Sequence, residues 1–316
     1  SSDVCSSDLP RVIVGKKGEN SWITWIGSDA QPLLADAAPE YSDQEFQWHQ
    51  GTLSEQQWET RVAQAIAKID KSEIDKVVLA RDLIATTDKA IDVRPVLNTL
   101  ASNYPATWVF SVDGLIGATP ELLLRLSRGM VTSRVLAGTI PKTGDDARDL
   151  ALSGSLARSS KDLEEHEYAV RSVADALDPF CTSTNVPESP FVLHLANVMH
   201  LATDVTGALI ESKKNVDAFT ILEKLHPSAA VCGTPTNLAA QVIKRIEGMS
   251  RGRYAGPVGW LDARGDGELG IALRCGQITE NEIQIFAGCG IVAGSNPEKE
   301  LSESNAKFAP MRGALN

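Results

Sequence analysis

Nowhere do the 316 residues contain a run approaching the ~20 consecutive apolar positions that a membrane-spanning helix requires, so no segment reads as a transmembrane helix. The opening SSDVCSSDLP has neither a basic start nor an apolar stretch, and it does not read as a secretory signal. Positive charge is also in short supply. Thirty Lys and Arg face 41 Asp and Glu, and the formal net charge of −11 would repel a phosphate backbone, which argues against a nucleic-acid partner. A small anionic substrate stays open, provided that a few cations or a metal ion gather locally. Cysteine is sparse and unpatterned: Cys5, Cys181, Cys232, Cys275 and Cys289 show no CxxC spacing. That disfavours a zinc site or a disulfide framework and leads us to expect reduced, buried thiols in a cytoplasmic protein.

What the chain does have is a hydrophobic fraction of 43% and a charged fraction of 22%, enough for a sizeable core. Ser54 with Gln57 three residues later forms a capping box, which predicts a helix over 55–69 with Trp58, Val62, Ala65, Ile66 and Ile69 on its apolar face. Strands are expected over 75–84 and 107–112, and one proline-free helical stretch over roughly 145–177. From 192 to 205 and from 254 to 292 the chain is rich in β-formers punctuated by glycine, with a hairpin turn at 262–267. A closing helix should begin near Pro297 and be interrupted at Pro310. Strands in adjacent runs, rather than alternating with helices, point to α+β with antiparallel sheet and to one domain.

Several motifs need weighing. Gly288-x-Gly290-x-x-Ala293 has the look of a dinucleotide fingerprint, but only 22 residues follow Gly294 and Pro297 intervenes, so no further helix and strand can complete that fold. What survives is a close approach of backbone to a neighbouring strand or an anionic ligand. Arg264-Gly265-Asp266 reads as a hairpin tip. Glu164, Glu165 and His166 fall on the long helical stretch, and Glu300, Glu303 and Lys307 share one stripe of the terminal helix. Taken singly, these residues, Lys76 at a strand start and Glu121 after Thr-Pro are ordinary solvated-face or strand-end charges.

Taken in order along the chain they form a pattern. KVVLAR (76–81), GATPELLLRL (117–126), LAGTIPKTGDD (136–146) and SSKDLEEHEYAV (159–170) come first. MHLATDVTG (199–207), LHPSAAVCGTP (225–235), YAGPVGWLDARGDGELGIALR (254–274) and FAGCGIVAGSNPEKELSESNAK (286–307) follow. This series resembles the chorismate-utilising enzymes: isochorismate and salicylate synthases, and the large subunits of anthranilate and aminodeoxychorismate synthases. The resemblance runs from about Glu55 to the C-terminus. It implies an α+β domain in which two large antiparallel sheets pack together and helices surround them. On it we divide the chain into a non-native leader (1–9, similar to translated adapter sequence), a remnant of an N-terminal part (10–54) and a chorismate-binding catalytic domain (55–316).

The resemblance also assigns roles. Lys76 corresponds to the general base that activates water in isochorismate and salicylate synthases, and Glu121 to the acid beneath the leaving hydroxyl. Ala137 stands where aminodeoxychorismate synthases carry a nucleophilic lysine, and Ala230 where salicylate synthases typically carry threonine. Both departures lean toward isochorismate synthase, with salicylate synthase as the alternative and an ammonia-using component or a non-catalytic chorismate binder behind it. Mg²⁺ is expected on Glu165 and Glu303, with Glu164 and Glu300 ranked after them. Two carboxylates with substrate oxygen and waters suit that ion. Arg274, Lys307 and the backbone at Gly288 are expected to hold the substrate carboxylates. Thr139, His200, Ala230, Tyr254 and Leu273 complete the pocket. No glutaminase subunit is expected, and the default assembly is a monomer.

Overall fold

The computed structural model of the chain describes residues 10–17, 19–27, 44–211 and 217–316. The chain divides into two units, Ser1–Asp43 and Gln44–Asn316. The proposed leader, residues 1–9, lies outside the described residues. In the first unit, β1 (Val12–Lys17) and β2 (Asn20–Trp25) pair as an antiparallel hairpin, Val12 opposite Trp25.

The second unit is α+β and contains two seven-stranded antiparallel sheets. The first runs β12 (Gly233–Thr234), β4 (Lys76–Thr86), β16 (Glu282–Ile291), β15 (Cys275–Thr279), β6 (Leu115–Thr119), β5 (Trp108–Val112), with β3 (Gln47–Gln50) also paired to β4. The second runs β10 (Phe191–His194), β11 (Val198–Leu209), β8 (Met130–Pro141), β7 (Leu122–Ser127), β14 (Gly267–Ile271), β13 (Pro257–Leu261), with β9 (Cys181–Asn185) also paired to β11. Because β3 is part of the first sheet, the compact unit starts ahead of Glu55, at Gln44.

Local chemistry explains the helices. Helix α1 (Glu55–Ile69) begins at the expected capping box, with Ser54 accepting from the Gln57 amide and the Gln57 side chain accepting from Ser54. Its Trp58, Val62, Ala65 and Ile69 are buried. Each such cap stabilises by about 1 kcal/mol. The helical stretch expected over 145–177 is instead two helices, α3 (Asp146–Leu156) and α4 (Ser160–Leu177). Ser159 stops one and starts the next, since its hydroxyl accepts from the Asp162 amide and competes with helix continuation. Helices α2 (Val93–Asn103), α5 (Ala218–Leu225) and α6 (Thr236–Ile246) fill the connections.

The terminal helix α7 (Pro297–Leu315) also departs from expectation, because Pro310 does not interrupt it. Proline deprives the Ala306 carbonyl of its helical donor. Here that carbonyl accepts from Asn197 Nδ2 at 2.8 Å, so the helix continues with its lost bond replaced from the loop before β11.

The main core takes Ala80, Leu115, Cys275 and Phe286 from the first sheet and Leu123, Val131, Val135 and Leu269 from the second. Ala169, Val173 and Leu177 of α4 close it. Truncating a fully buried leucine such as Leu177 to alanine would cost about 2–5 kcal/mol. Cys181, Cys232, Cys275 and Cys289 are free and buried, and Cys5 lies outside the described residues. Among the described residues no helix is long and apolar enough to cross a membrane.

Candidate active site

Two short links carry the chain from one sheet to the other, and both hold a predicted site residue. Pro120–Glu121 joins β6 of the first sheet to β7 of the second, and Ala272–Arg274 joins β14 of the second back to β15 of the first. The links border one cavity between the sheets. Glu121, Thr139, Glu165, His200 and Ala230 line it, as do Tyr254, Leu273, Arg274, Gly288 and Lys307. Residues from 121 to 307 thus meet at one place, which no spacing in the sequence announces.

Lys76 opens β4 and has no exposed surface. Its ammonium donates to the Glu165 carbonyl at 3.2 Å and lies 3.5 Å from Glu165 Oε1. Burial pulls its pKa below the ordinary lysine value, although Glu165 and Glu121 oppose the shift. Burial acts in the opposite sense on Glu121, whose carboxyl is pushed up to about 7 against the pull of Arg274 and Lys76. Desolvation therefore makes the lysine easier to deprotonate and the glutamate easier to protonate.

Gly290 makes the Lys76–Glu165 contact possible. A Cβ at that position would fall 1.9 Å from Glu165 Oε1 and 3.1 Å from Lys76 Cε. The glycines of AGCGIV thus serve close approach, and the one at 288 also presents its carbonyl to Lys307 Nζ at 2.9 Å.

His200 sits opposite Thr139 in the β11–β8 register. Its Nδ1 is 3.0 Å from Thr139 Oγ1 and its Nε2 is 3.0 Å from Arg274 Nη2. A guanidinium only donates, so Nε2 must accept and the ring proton belongs on Nδ1, facing the threonine. Burial, then Arg274, hold the ring well below the ordinary histidine pKa. His200 is thus a neutral link that orients Arg274. Tyr254 stacks on Phe286, ring centroids 5.0 Å apart, and forms a wall beside Gly288.

The carboxylates gather beside this cavity. Glu165, Glu300 and Glu303 are each close enough to influence the others' ionisation. Burial, followed by Glu303, raises Glu300 to about 7; Lys161 donates to it at 2.7 Å. Burial also raises Glu165. Glu303, in contrast, is held below the usual glutamate range, since Lys307 and Lys161 outweigh its burial. Cys289, Glu300 and Glu303 place possible ligand atoms within 4.8 Å of one another. The Cys289 thiol donates to the Glu300 carbonyl, and burial keeps it protonated. The donors available to a cation are therefore carboxylate oxygens, which fits Mg²⁺ and not a thiophilic metal. Glu164 does not join them. It is exposed on α4, one residue and about 100° around the helix from buried Glu165.

Several positioning residues escaped the sequence reading. His166 is buried beside Glu165, with Nδ1 3.2 Å from the Ala137 carbonyl and Nε2 2.7 Å from Thr203 Oγ1, which ties α4 to β8 and β11. Glu247 and Arg251 form another device. On the open edge of β4, β12 pairs only with Lys76 and Val77, and β3 only from Leu83 to Thr86. In the gap Glu247 accepts from the Ala80 amide at 2.8 Å, and Arg251 donates to the Val78 and Val231 carbonyls at 2.8 Å each. The two side chains also pair with each other. They replace a missing strand and fasten the Lys76 strand to the loop that carries Ala230. The i, i+4 spacing of Glu247 and Arg251 was the available signal, but it is indistinguishable from a surface helix pair.

Comparison with known proteins bears on this site. The family model described as chorismate binding enzyme matches residues 12–316. The isochorismate synthase MenF of Bacillus subtilis is 35% identical over 97% of this chain and 69% of its own length. The isochorismate synthase DhbC of the same organism is 36% identical over 93% of this chain and 75% of its own. Among solved structures, the menaquinone-specific isochorismate synthase MenF from Escherichia coli aligns with a TM-score of 0.76 at 30% identity. That alignment covers 86% of this chain and 63% of the other.

Proposed function

The chain belongs to the chorismate binding enzyme family, and from that premise we propose that it is an isochorismate synthase. The observation that carries this reading is a lysine with no exposed surface at the start of β4, set against a buried glutamate raised to about 7 on the link between the sheets. Ammonia-using relatives need no base to activate water. Lys76 would serve as that base, and Ala137, which lines the cavity, stands by resemblance where an aminodeoxychorismate synthase carries its nucleophilic lysine. No glutaminase subunit is required.

Conversion of chorismate to isochorismate adds water at C2, shifts both ring double bonds one position along the ring and expels the C4 hydroxyl. Neutral Lys76 takes the proton of the attacking water. Protonated Glu121 gives a proton to the departing hydroxyl, which leaves as water. One water enters and one leaves, and the two side chains finish in the states from which the reverse reaction starts. Each proton transfer of this kind contributes about 10²–10⁴-fold in rate. Arg274, oriented by His200, and Lys307 bind the substrate's two carboxylates, so local cations overcome the net charge of −11.

Glu165 and Glu303 would hold Mg²⁺, with Glu300 nearby, and the ion when bound would supply Lewis-acid polarisation at the ring carboxylate. Lys161 and Lys307 keep Glu300 and Glu303 in place around that position.

Product analysis tests the reading. Purified protein is incubated with chorismate and Mg²⁺, with an EDTA control, and the quenched mixture is chromatographed. Isochorismate approaching equilibrium with chorismate, without pyruvate and only with metal, is the expected result. Salicylate with pyruvate would make it a salicylate synthase despite Ala230, and no turnover by folded protein would remove the catalytic proposal.

A further inference from the structure

A second cavity, of about 220 Å³, shares no lining residue with the first. Trp48 and His49 of β3, Glu55 of α1, Arg81 of β4, and Asn305 and Arg312 of α7 border it. Arg81 is 3% exposed, and its guanidinium lies 5.1 Å above the Phe308 ring. Its Nη2 donates to Asn305 Oδ1 at 3.0 Å and is 3.6 Å from Glu55 Oε1. Its Nη1 is buried and has no hydrogen-bond partner among the described residues.

Arginine cannot shed its charge to escape burial, because its pKa lies far above any working pH. Its nearest carboxylate among the described residues is beyond hydrogen-bond distance, on a Glu55 side chain that is 60% exposed, and Asp82 adds a weaker attraction. A second guanidinium, that of Arg312, borders the same cavity and stacks 5.2 Å over Trp48. The cavity thus has one buried and one exposed cation against one loosely held anion, beside the flat apolar face of Trp48. The catalytic scheme uses none of these groups.

We propose that this cavity is a binding site for a small oxyanion, a carboxylate or a phosphate, held between Arg81 and Arg312. The anion supplies the countercharge that Glu55 only partly provides to the Arg81 guanidinium. Planar pairing with a guanidinium favours these two groups over a halide. The site flanks the catalytic elements without joining them. Arg81 follows Lys76 by an odd number of positions on β4 and so faces the other side of that strand, and Asn305 lies between Glu303 and Lys307 on α7. The proposal does not rest on the assignment of the catalytic reaction.

The test is titration calorimetry on the full chain without chorismate or Mg²⁺, with benzoate and inorganic phosphate as separate probes. At least one probe is expected to bind saturably, at a single site, with affinity reduced at least tenfold in Arg312→Ala. Because Arg312 is exposed, that variant should fold, and a thermal melt verifies it. Benzoate binding alone identifies a carboxylate site and phosphate alone a phosphate site. Arg274→Ala removes any probe held at the catalytic cavity, and the binding that depends on Arg312 should persist in it. The proposal is overturned if neither probe saturates, if Arg312→Ala binds as the parent does, or if binding disappears with Arg274→Ala instead.

Discussion

Gly290→Ala is the substitution that most directly questions the geometry of the catalytic centre. Gly290 is in β16 with ordinary strand backbone, so alanine introduces no conformational strain of its own. Its added methyl group, however, would meet Glu165 Oε1 at 1.9 Å and Glu165 Cδ at 2.6 Å. No real Cβ tolerates such contacts, so the carboxylate must retreat by about 1 Å, and a misplacement of that size can cost about 10²-fold in rate. Lys76 Cε, at 3.1 Å, must give slightly as well. The obstacle is the end of a flexible side chain and not backbone, so the fold should survive. The expected pattern is a kcat lower by about 10²-fold, equivalent to roughly 2.7 kcal/mol of barrier. The Mg²⁺ concentration for half-maximal activity should rise too, while Tm falls by only a few degrees. Isochorismate formation followed across a Mg²⁺ titration, with a circular-dichroism melt alongside, reads all three. Retention of more than half the parental kcat at unchanged Mg²⁺ requirement would refute the placement of Glu165 against Gly290 and with it the proposed metal position.

Two further predictions concern buried charge. Glu121 has its folded pKa raised from 4.5 to about 7. Its protonation therefore favours the folded state, and that stability is fully present below about 4.5 and lost as pH rises through 7. The difference is on the order of 3 kcal/mol. Glu121→Gln should thus gain stability over the parent at pH 8 relative to pH 4.5 in urea titrations, while losing about 10²–10⁴-fold in kcat with chorismate binding retained; equal stability differences at the two pH values would contradict the burial argument. Glu247→Ala strips the β4 edge of its acceptor and leaves the partly buried Arg251 without its carboxylate partner, which should cost about 3 kcal/mol. A loss under 1 kcal/mol in chemical denaturation would show that this pair does not hold the edge.

Much of this protein was legible in one dimension. The capping box at Ser54, the β4 strand, the hairpin at Asp262 and the antiparallel α+β character follow from spacing and propensity, because helix caps and strand alternation are settled within a few residues. The ordered motifs identified the family and selected ten residues that line the cavity, while Lys76, Glu300 and Glu303 are not among its lining residues. Periodicity misled where a side chain rewrote the backbone's options. Ser159 divided a long helical pattern, and Asn197, distant in sequence, let α7 continue through Pro310.

Tertiary structure alone decided which charges matter. Glu164 and Glu165 are adjacent and chemically identical, yet helix geometry exposes one and buries the other. Glu247, Arg251, His166 and Lys161 read as ordinary polar residues until the sheets bring them to unfilled backbone groups or carboxylates. Lys76 and Glu121 acquire unusual protonation preferences only where two sheets exclude water around them. Desolvation depends on everything packed within a few ångströms, and those neighbours come from across the whole chain. Residue type, order and local periodicity belong to the sequence, whereas ionisation and reach belong to the fold.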